Sequence, residues 1–137
     1  MLIPNVIRPA DQWRDPRHRR GLASELAAAR HLEALGWAIM AHRFRWGHHD
    51  IDLIARRGNL VAFIEVKGRQ GGGRFGTGRE SIGWKKRRVL QLAAQLWVIR
   101  HGHRADLYRY DVIEVGWPDT GFPQIIHIQD AWRGVEK

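Results

Sequence analysis

The sequence predicts an α/β or α+β domain, a sheet with helices packed against it. Three observations predict it. Apolar periodicity and turn residues divide the chain in the order helix, three strands, helix, two strands. Two of those strands form a hairpin whose faces are both largely apolar, as strands covered on both sides require. At 137 residues the chain makes one domain of ordinary size, able to bury a core without disulfides, and it has no Cys to form them.

Residues 1–20 lack periodicity and end in Arg14, Arg17, His18, Arg19 and Arg20, which reads as a basic N-terminal arm that orders on binding. Gly21–Leu35 is rich in Ala and Leu and reads as a helix closed by Gly36. Trp37–Trp46 is a first strand of imperfect alternation. Asp50–Ala55 and Leu60–Val66 flank Arg56-Arg57-Gly58-Asn59, the pattern of a hairpin. Gly68–Gly78 is a glycine-rich loop, and Ile82–Arg100 a long helix ended by His101-Gly102-His103. Asp106–Val115 and Gln124–Ile128 are the last strands, with Pro118, Gly121 and Pro123 in the loop between them. A single domain thus occupies 21–132, and 133–137 form a tail.

Lys and Arg number 23 against 14 Asp and Glu, a net charge of +9. Such a surplus favours a polyanionic partner, nucleic acid or an acidic membrane face. The apolar runs are too short to cross a bilayer, and the arm offers no apolar face to lie on one. The first ten residues lack the apolar stretch of a signal peptide, so the expectation is a soluble cytoplasmic protein that binds nucleic acid. Without Cys, thiolate zinc sites and cysteine nucleophiles are excluded.

The acids concentrate the chemistry. If Gly58-Asn59 is a two-residue turn, Asp52 lies directly opposite Glu65 and Asp50 opposite Lys67. A four-residue loop makes Asp52 and Glu65 diagonal neighbours on the same face. Either register gathers Ile51, Leu53, Ala55, Ala62, Ile64 and Val66 on the other face, and a slip of one residue would mix charge into that set. Crowded carboxylates repel one another unless a proton or cation sits between them. The plain alternative is a structural ion pair of Lys67 with Asp50 or Glu65.

The two helices add inward charge. At about 100° per residue, Glu25 falls within the stripe of Leu22, Leu26, Ala28, Ala29 and Leu32, whereas Glu33 is nearer its edge. A carboxylate aimed at a core needs a partner, a proton or a metal. On the second helix Lys86 falls among Val89, Leu90, Ala93 and Trp97, while Lys85, Arg87 and Arg88 point elsewhere as a basic surface. Oxygen ligands without thiolate suit Mg²⁺ or Mn²⁺. A cation on Asp52 and Glu65, with Lys67 to orient water or neutralise phosphate, is equipment for phosphodiester hydrolysis.

Asp52 followed by Glu65-Val66-Lys67 resembles the PD-(D/E)xK nuclease signature. The ordered set Gly21-Leu-Ala-Ser-Glu25, Asp50-Ile-Asp-Leu-Ile-Ala55, Phe63-Ile-Glu-Val-Lys-Gly-Arg69, Lys86 with Leu90 and Ala93, Arg109-Tyr-Asp-Val112 and His127-Ile-Gln-Asp-Ala-Trp132 is similar to the YraN family of uncharacterised bacterial proteins, itself similar to archaeal Holliday junction resolvases. The resemblance runs from about residue 21 to 132. It implies a restriction-endonuclease-like three-layer fold, a central mixed β-sheet flanked by helices. It further implies that Glu25, Asp52 and Glu65 are metal ligands or their supports, that Lys67 is the catalytic lysine, and that the protein pairs as a homodimer for double cuts. This chain departs from the usual pattern in having Asp50 where the family has Glu, and Ser24 where it has Gly.

Weaker signals remain. Gly71, Gly73 and Gly76 spell a dinucleotide loop, but no βαβ unit or downstream acid accompanies them. A loop touching phosphate through Arg69, Arg74 and Arg79 fits better, with Lys85 and Lys86 as further nucleic-acid contacts. His48 and His49 are adjacent on a strand and point apart. Trp46 and Trp84, each beside basic residues, suit either burial or stacking on unpaired bases. Asp111, close to Arg109, reads as a structural anchor. The sequence therefore predicts a Mg²⁺- or Mn²⁺-dependent endonuclease acting on DNA that is branched or single-stranded at the cut. The alternative is an inactive nucleic-acid-binding or scaffold module with the same fold.

Overall fold

The computed structural model describes residues 19–70 and 83–134, with side chains described from residue 21. The order of elements is α1 (Arg19–Ala34), β1 (Ala38–Trp46), β2 (His49–Arg57), β3 (Leu60–Gln70), α2 (Trp84–His101), β4 (Leu107–Trp117) and β5 (Gln124–Trp132). Every expected element is present. The first helix begins two residues earlier than its periodicity indicated, at Arg19, and most of the expected arm lies outside the described residues.

The strands form one sheet in the order β1-β2-β3-β4-β5. All neighbours run antiparallel except β3 and β4, which are parallel and joined by a crossover containing α2. The hairpin takes the two-residue register: Arg57 pairs with Leu60 and Leu53 with Ile64. Gly58 has φ 63°, the left-handed conformation that such a tight turn asks of its first residue. Arg56 donates to both carboxylate oxygens of Asp106 at 2.7 and 2.9 Å, which ties this end of the hairpin to the start of β4.

Each face of the sheet is covered by one helix, giving three layers. Leu32, Ala28 and Ala29 of α1 pack with Trp37, Leu53, Ala55, Ala62, Ile64, Ile113 and Val115. Leu90, Ala93, Ala94 and Trp97 of α2 pack on the other face with Ile54, Val61, Phe63, Val112 and Trp132. Each large side chain removed from water here contributes roughly 1.5–3 kcal/mol, which is what drives an Ala-rich helix such as α1 onto the sheet. The mixed α/β architecture with a helix on each face is the restriction-endonuclease-like arrangement.

One alternation fails. Alternation puts Ile51 on one face with Leu53 and Ala55, yet those two pack under α1 while Ile51 packs with Phe63 and Leu90 under α2. The β2–β3 ladder also stops at Leu53 and Ile64, just before Asp52 and Glu65 would face each other. Across from Asp52 in the β1–β2 register stands Arg43, whose φ of 54° interrupts the extended backbone. The sheet departs from regular pleating on both sides of Asp52.

Candidate active site at the β2–β3 fork

Where the two strands part, Asp52 takes over the role of the missing ladder. Its Oδ2 accepts the backbone N–H of Val66 at 2.8 Å, so the side chain is fixed against β3. Glu65, 8% exposed, lies beside it with the two carboxyl groups in hydrogen-bonding contact. Burial, and then the neighbouring Glu65, hold the Asp52 carboxyl well above the ordinary aspartate value, despite the opposing pull of the Val66 amide. Two adjoining carboxylates short of water can share a proton or a cation.

The cations of the site come from β3 and α2. The Lys86 ammonium donates to Glu65. Its stem is not inserted between Leu90 and Trp97 as the helical angle suggested. The side chain is 46% exposed and reaches inward with its head. Lys67 is half-buried, and burial lowers its ammonium pKa. Glu65 and Asp52 oppose that shift, while Lys86 and Arg69 reinforce it. These interactions place Lys67 in the same electrostatic field as both acids.

Glu25 is buried, at 6% exposure, and turned toward the same region from α1. Its charge raises the Asp52 pKa, so the two groups sense each other. Its own oxygens are engaged by neighbours, since His42 Nε2 lies 2.5 Å from Oε1 and Arg43 donates at 2.8 and 3.2 Å. Burial alone would raise the Glu25 pKa, but the His42 and Arg43 contacts outweigh it and hold the carboxyl below its ordinary value. The left-handed backbone at Arg43, worth about 1–3 kcal/mol of strain for a non-glycine residue, is the conformation that accompanies this contact. Among the described residues no three His, Asp or Glu groups converge at metal-binding geometry. Two acids, Asp52 and Glu65, do adjoin, and as hard oxygen donors they fit a divalent cation.

The remaining expected site residues are spread more widely. Asp50 is half-buried on β2 and sits opposite Arg45 of β1. Arg69 turns inward, with Nε 3.6 Å from Oε1 of the fully buried Glu114. Lys85 is exposed and lies 5.7 Å over the ring of Trp84. Arg74 and Arg79 lie outside the described residues.

Three residues of this neighbourhood escape a reading of the sequence. Glu114 interrupts the apolar run Val112-Ile113-Glu114-Val115, and an acid within such a run is a usable sign of a buried partner. His42 and Arg43 give no such sign, because a basic strand residue ordinarily faces water.

The Uncharacterised protein family UPF0102 model matches residues 24–115, which include every acid described above. A UPF0102 protein of Gloeobacter violaceus is 38% identical over 122 residues, covering 88% of this chain and 97% of that protein. One from Xanthomonas campestris pv. campestris is 40% identical over 119 residues, 85% of this chain and 93% of the relative. Another, from a Chelativorans strain, is 40% identical over 123 residues, 87% and 91% of the two chains. Matched along most of its length, the chain belongs to the protein family UPF0102, the YraN-type family that its motifs resemble.

Proposed function

We propose that the protein is a Mg²⁺- or Mn²⁺-dependent endonuclease that hydrolyses phosphodiester bonds in cytoplasmic DNA. The observation that carries the reading is the Asp52–Glu65 carboxyl pair at the β2–β3 fork, with Lys67 in its field. A cation seated on that pair would supply Lewis-acid activation of water and neutralise charge on the phosphate. Lys67, its ammonium pKa lowered by burial, is suited to hold the attacking water or a phosphate oxygen at the fork. Lys86, half-exposed and paired with Glu65, adds a second positive charge beside the fork for the phosphate. Glu25 is a positioning residue, held by His42 and Arg43 and acting on Asp52 through its charge. The charge of +9 supplies attraction to the polyanion, and among the described residues no helix is long and apolar enough to cross a membrane.

The test is cleavage of linear, flapped and four-way DNA by purified protein with Mg²⁺ or Mn²⁺. Wild type is expected to cut, and Glu65→Ala and Lys67→Ala to lose cutting. Equal residual cleavage by wild type and Glu65→Ala would assign the activity to a contaminant. Size-exclusion chromatography with the four-way substrate tests the associated expectation of a homodimer.

One observation favours a second reading, a nucleic-acid-binding or scaffold module without chemistry. Lys86 already neutralises Glu65, and Arg43 already neutralises Glu25. Under that reading, calorimetry detects no Mn²⁺ uptake at millimolar concentration while salt-sensitive DNA binding persists.

A further inference from the structure

The chain has seven tryptophans, and the described ones separate sharply by exposure. Trp37, Trp97 and Trp132 are 4%, 1% and 6% exposed and belong to the two cores. Trp117 is half-buried and donates from Nε1 to Ser24 Oγ at 2.9 Å. Trp84 and Trp46 stand apart, at 63% and 41% exposure. A large ring left in water forgoes the roughly 1.5–3 kcal/mol that burying a large apolar side chain provides, and it leaves both indole faces open to a ligand.

Both exposed rings stand among cations at the end of the sheet that carries the fork. Trp84 opens α2, with the Lys85 ammonium 5.7 Å from its ring and exposed Arg88 one turn on. Lys86, two residues further, reaches Glu65. The helix then runs away from the site, since Trp97 meets Phe63 and Gly102 approaches the Tyr108 hydroxyl near the start of β4. Trp46 ends β1 beside exposed Arg45, and its partner His49 precedes Asp52 by three residues. At about 3.3 Å per residue that is roughly 10 Å along the strand.

We propose that Trp84, assisted by Trp46, is a stacking platform for unpaired bases. The site's substrate is then DNA that is single-stranded beside the scissile phosphate, and continuous duplex is a poor substrate. The inference deepens the nuclease reading and rests on it. Lysine and arginine grip phosphate in any nucleic acid, so the cations do not discriminate. An indole face does, because bases inside a duplex already stack on one another and present only their edges. An aromatic ring among cations is the combination by which single strands are held without regard to sequence.

The experiment measures binding of the full chain, in chelator and without metal, to an oligothymidylate and to a blunt duplex of equal length. Trp84→Ala is expected to weaken single-strand binding about tenfold and to leave duplex binding within about twofold. Trp84→Phe keeps most of the affinity, and Trp46→Ala repeats the selective loss at smaller size. Lys85→Ala lowers both affinities alike. Because Trp84 is exposed, an unchanged circular dichroism spectrum is expected for its variants. Equal loss on both substrates, or no loss on the single strand, overturns the platform while leaving DNA binding in place. Wild type that binds neither substrate overturns the nucleic-acid reading together with it.

Discussion

Asp111 and Asp52 are both sheet aspartates withdrawn from water, and they answer burial in opposite ways. Asp111 is fully buried on β4 and surrounded by donors. Arg109 donates from Nε at 2.9 Å and from its terminal nitrogen at 3.0 Å, His127 lies at 2.7 Å, and the Asp130 amide donates at 2.9 Å. Burial would raise its pKa, but His127, Arg109 and that amide overcome it and hold the carboxyl below the ordinary aspartate value. Asp52 has the single Val66 amide and faces another acid, so its pKa is raised. A saturated acid stabilises a fold. An acid left beside an acid costs stability and can retain something from solution, which is the mark of a site.

The largest test of that contrast is removal of the saturated acid. Asp111→Ala leaves the part-buried Arg109 guanidinium, His127 and the Asp130 amide without their shared acceptor, and is expected to lower unfolding free energy by about 3 kcal/mol in a denaturant titration. A loss of under 1 kcal/mol would mean that the donors around Asp111 are not structural. At the fork the loss falls on activity: Lys67→Ala is expected to reduce cleavage roughly 10²- to 10³-fold with little change in melting temperature. Mn²⁺ sharpens the comparison further. At about a hundred times its Kd it should stabilise wild type by about 2.7 kcal/mol, and fail to stabilise Asp52→Asn, in a thermal shift measurement.

The smallest effect concerns pH, and the two aspartates have opposite signs. Because the folded Asp52 pKa is raised, its cost is absent below the unfolded aspartate pKa and complete above the folded one. Asp52→Asn should therefore be more stable than wild type without metal at mildly alkaline pH, by on the order of 1 kcal/mol, with the gap closing on acidification. Because the folded Asp111 pKa is depressed, its contribution is present above the unfolded value and lost as pH falls through the folded one. Urea titrations across that range that give both variants the same slope would remove the distinction.

Much of this was legible in the residues. Keeping Leu53, Ala55, Ala62 and Ile64 free of charge excludes a one-residue slip and brings Asp52 near Glu65 in either remaining register, of which the hairpin adopts the two-residue one. Glu25 and Lys86 were found by their angular positions, because a helix places side chains by a fixed rotation. Lys86 nevertheless stays largely in water, since its long stem reaches inward from the rim. Ile51 was misplaced because alternation presumes a continuous ladder, and the ladder ends beside it. The engagement of Glu25 by His42 and Arg43 depends on a left-handed strand residue, and no local pattern marks an arginine for that conformation.

Ser24 and Gly68 show how closely α1 is set against β3. A methyl group built at position 68 would lie 2.5 Å from Ser24 Oγ but 3.5 Å from Ser24 Cβ, so the serine hydroxyl is the group that crowds the position. The two positions form an epistatic pair with a preferred mutational order. Loss of the Ser24 hydroxyl, as in Ser24→Ala, opens position 68 to a side chain, whereas a side chain placed at 68 first must push that hydroxyl away from its Trp117 hydrogen bond.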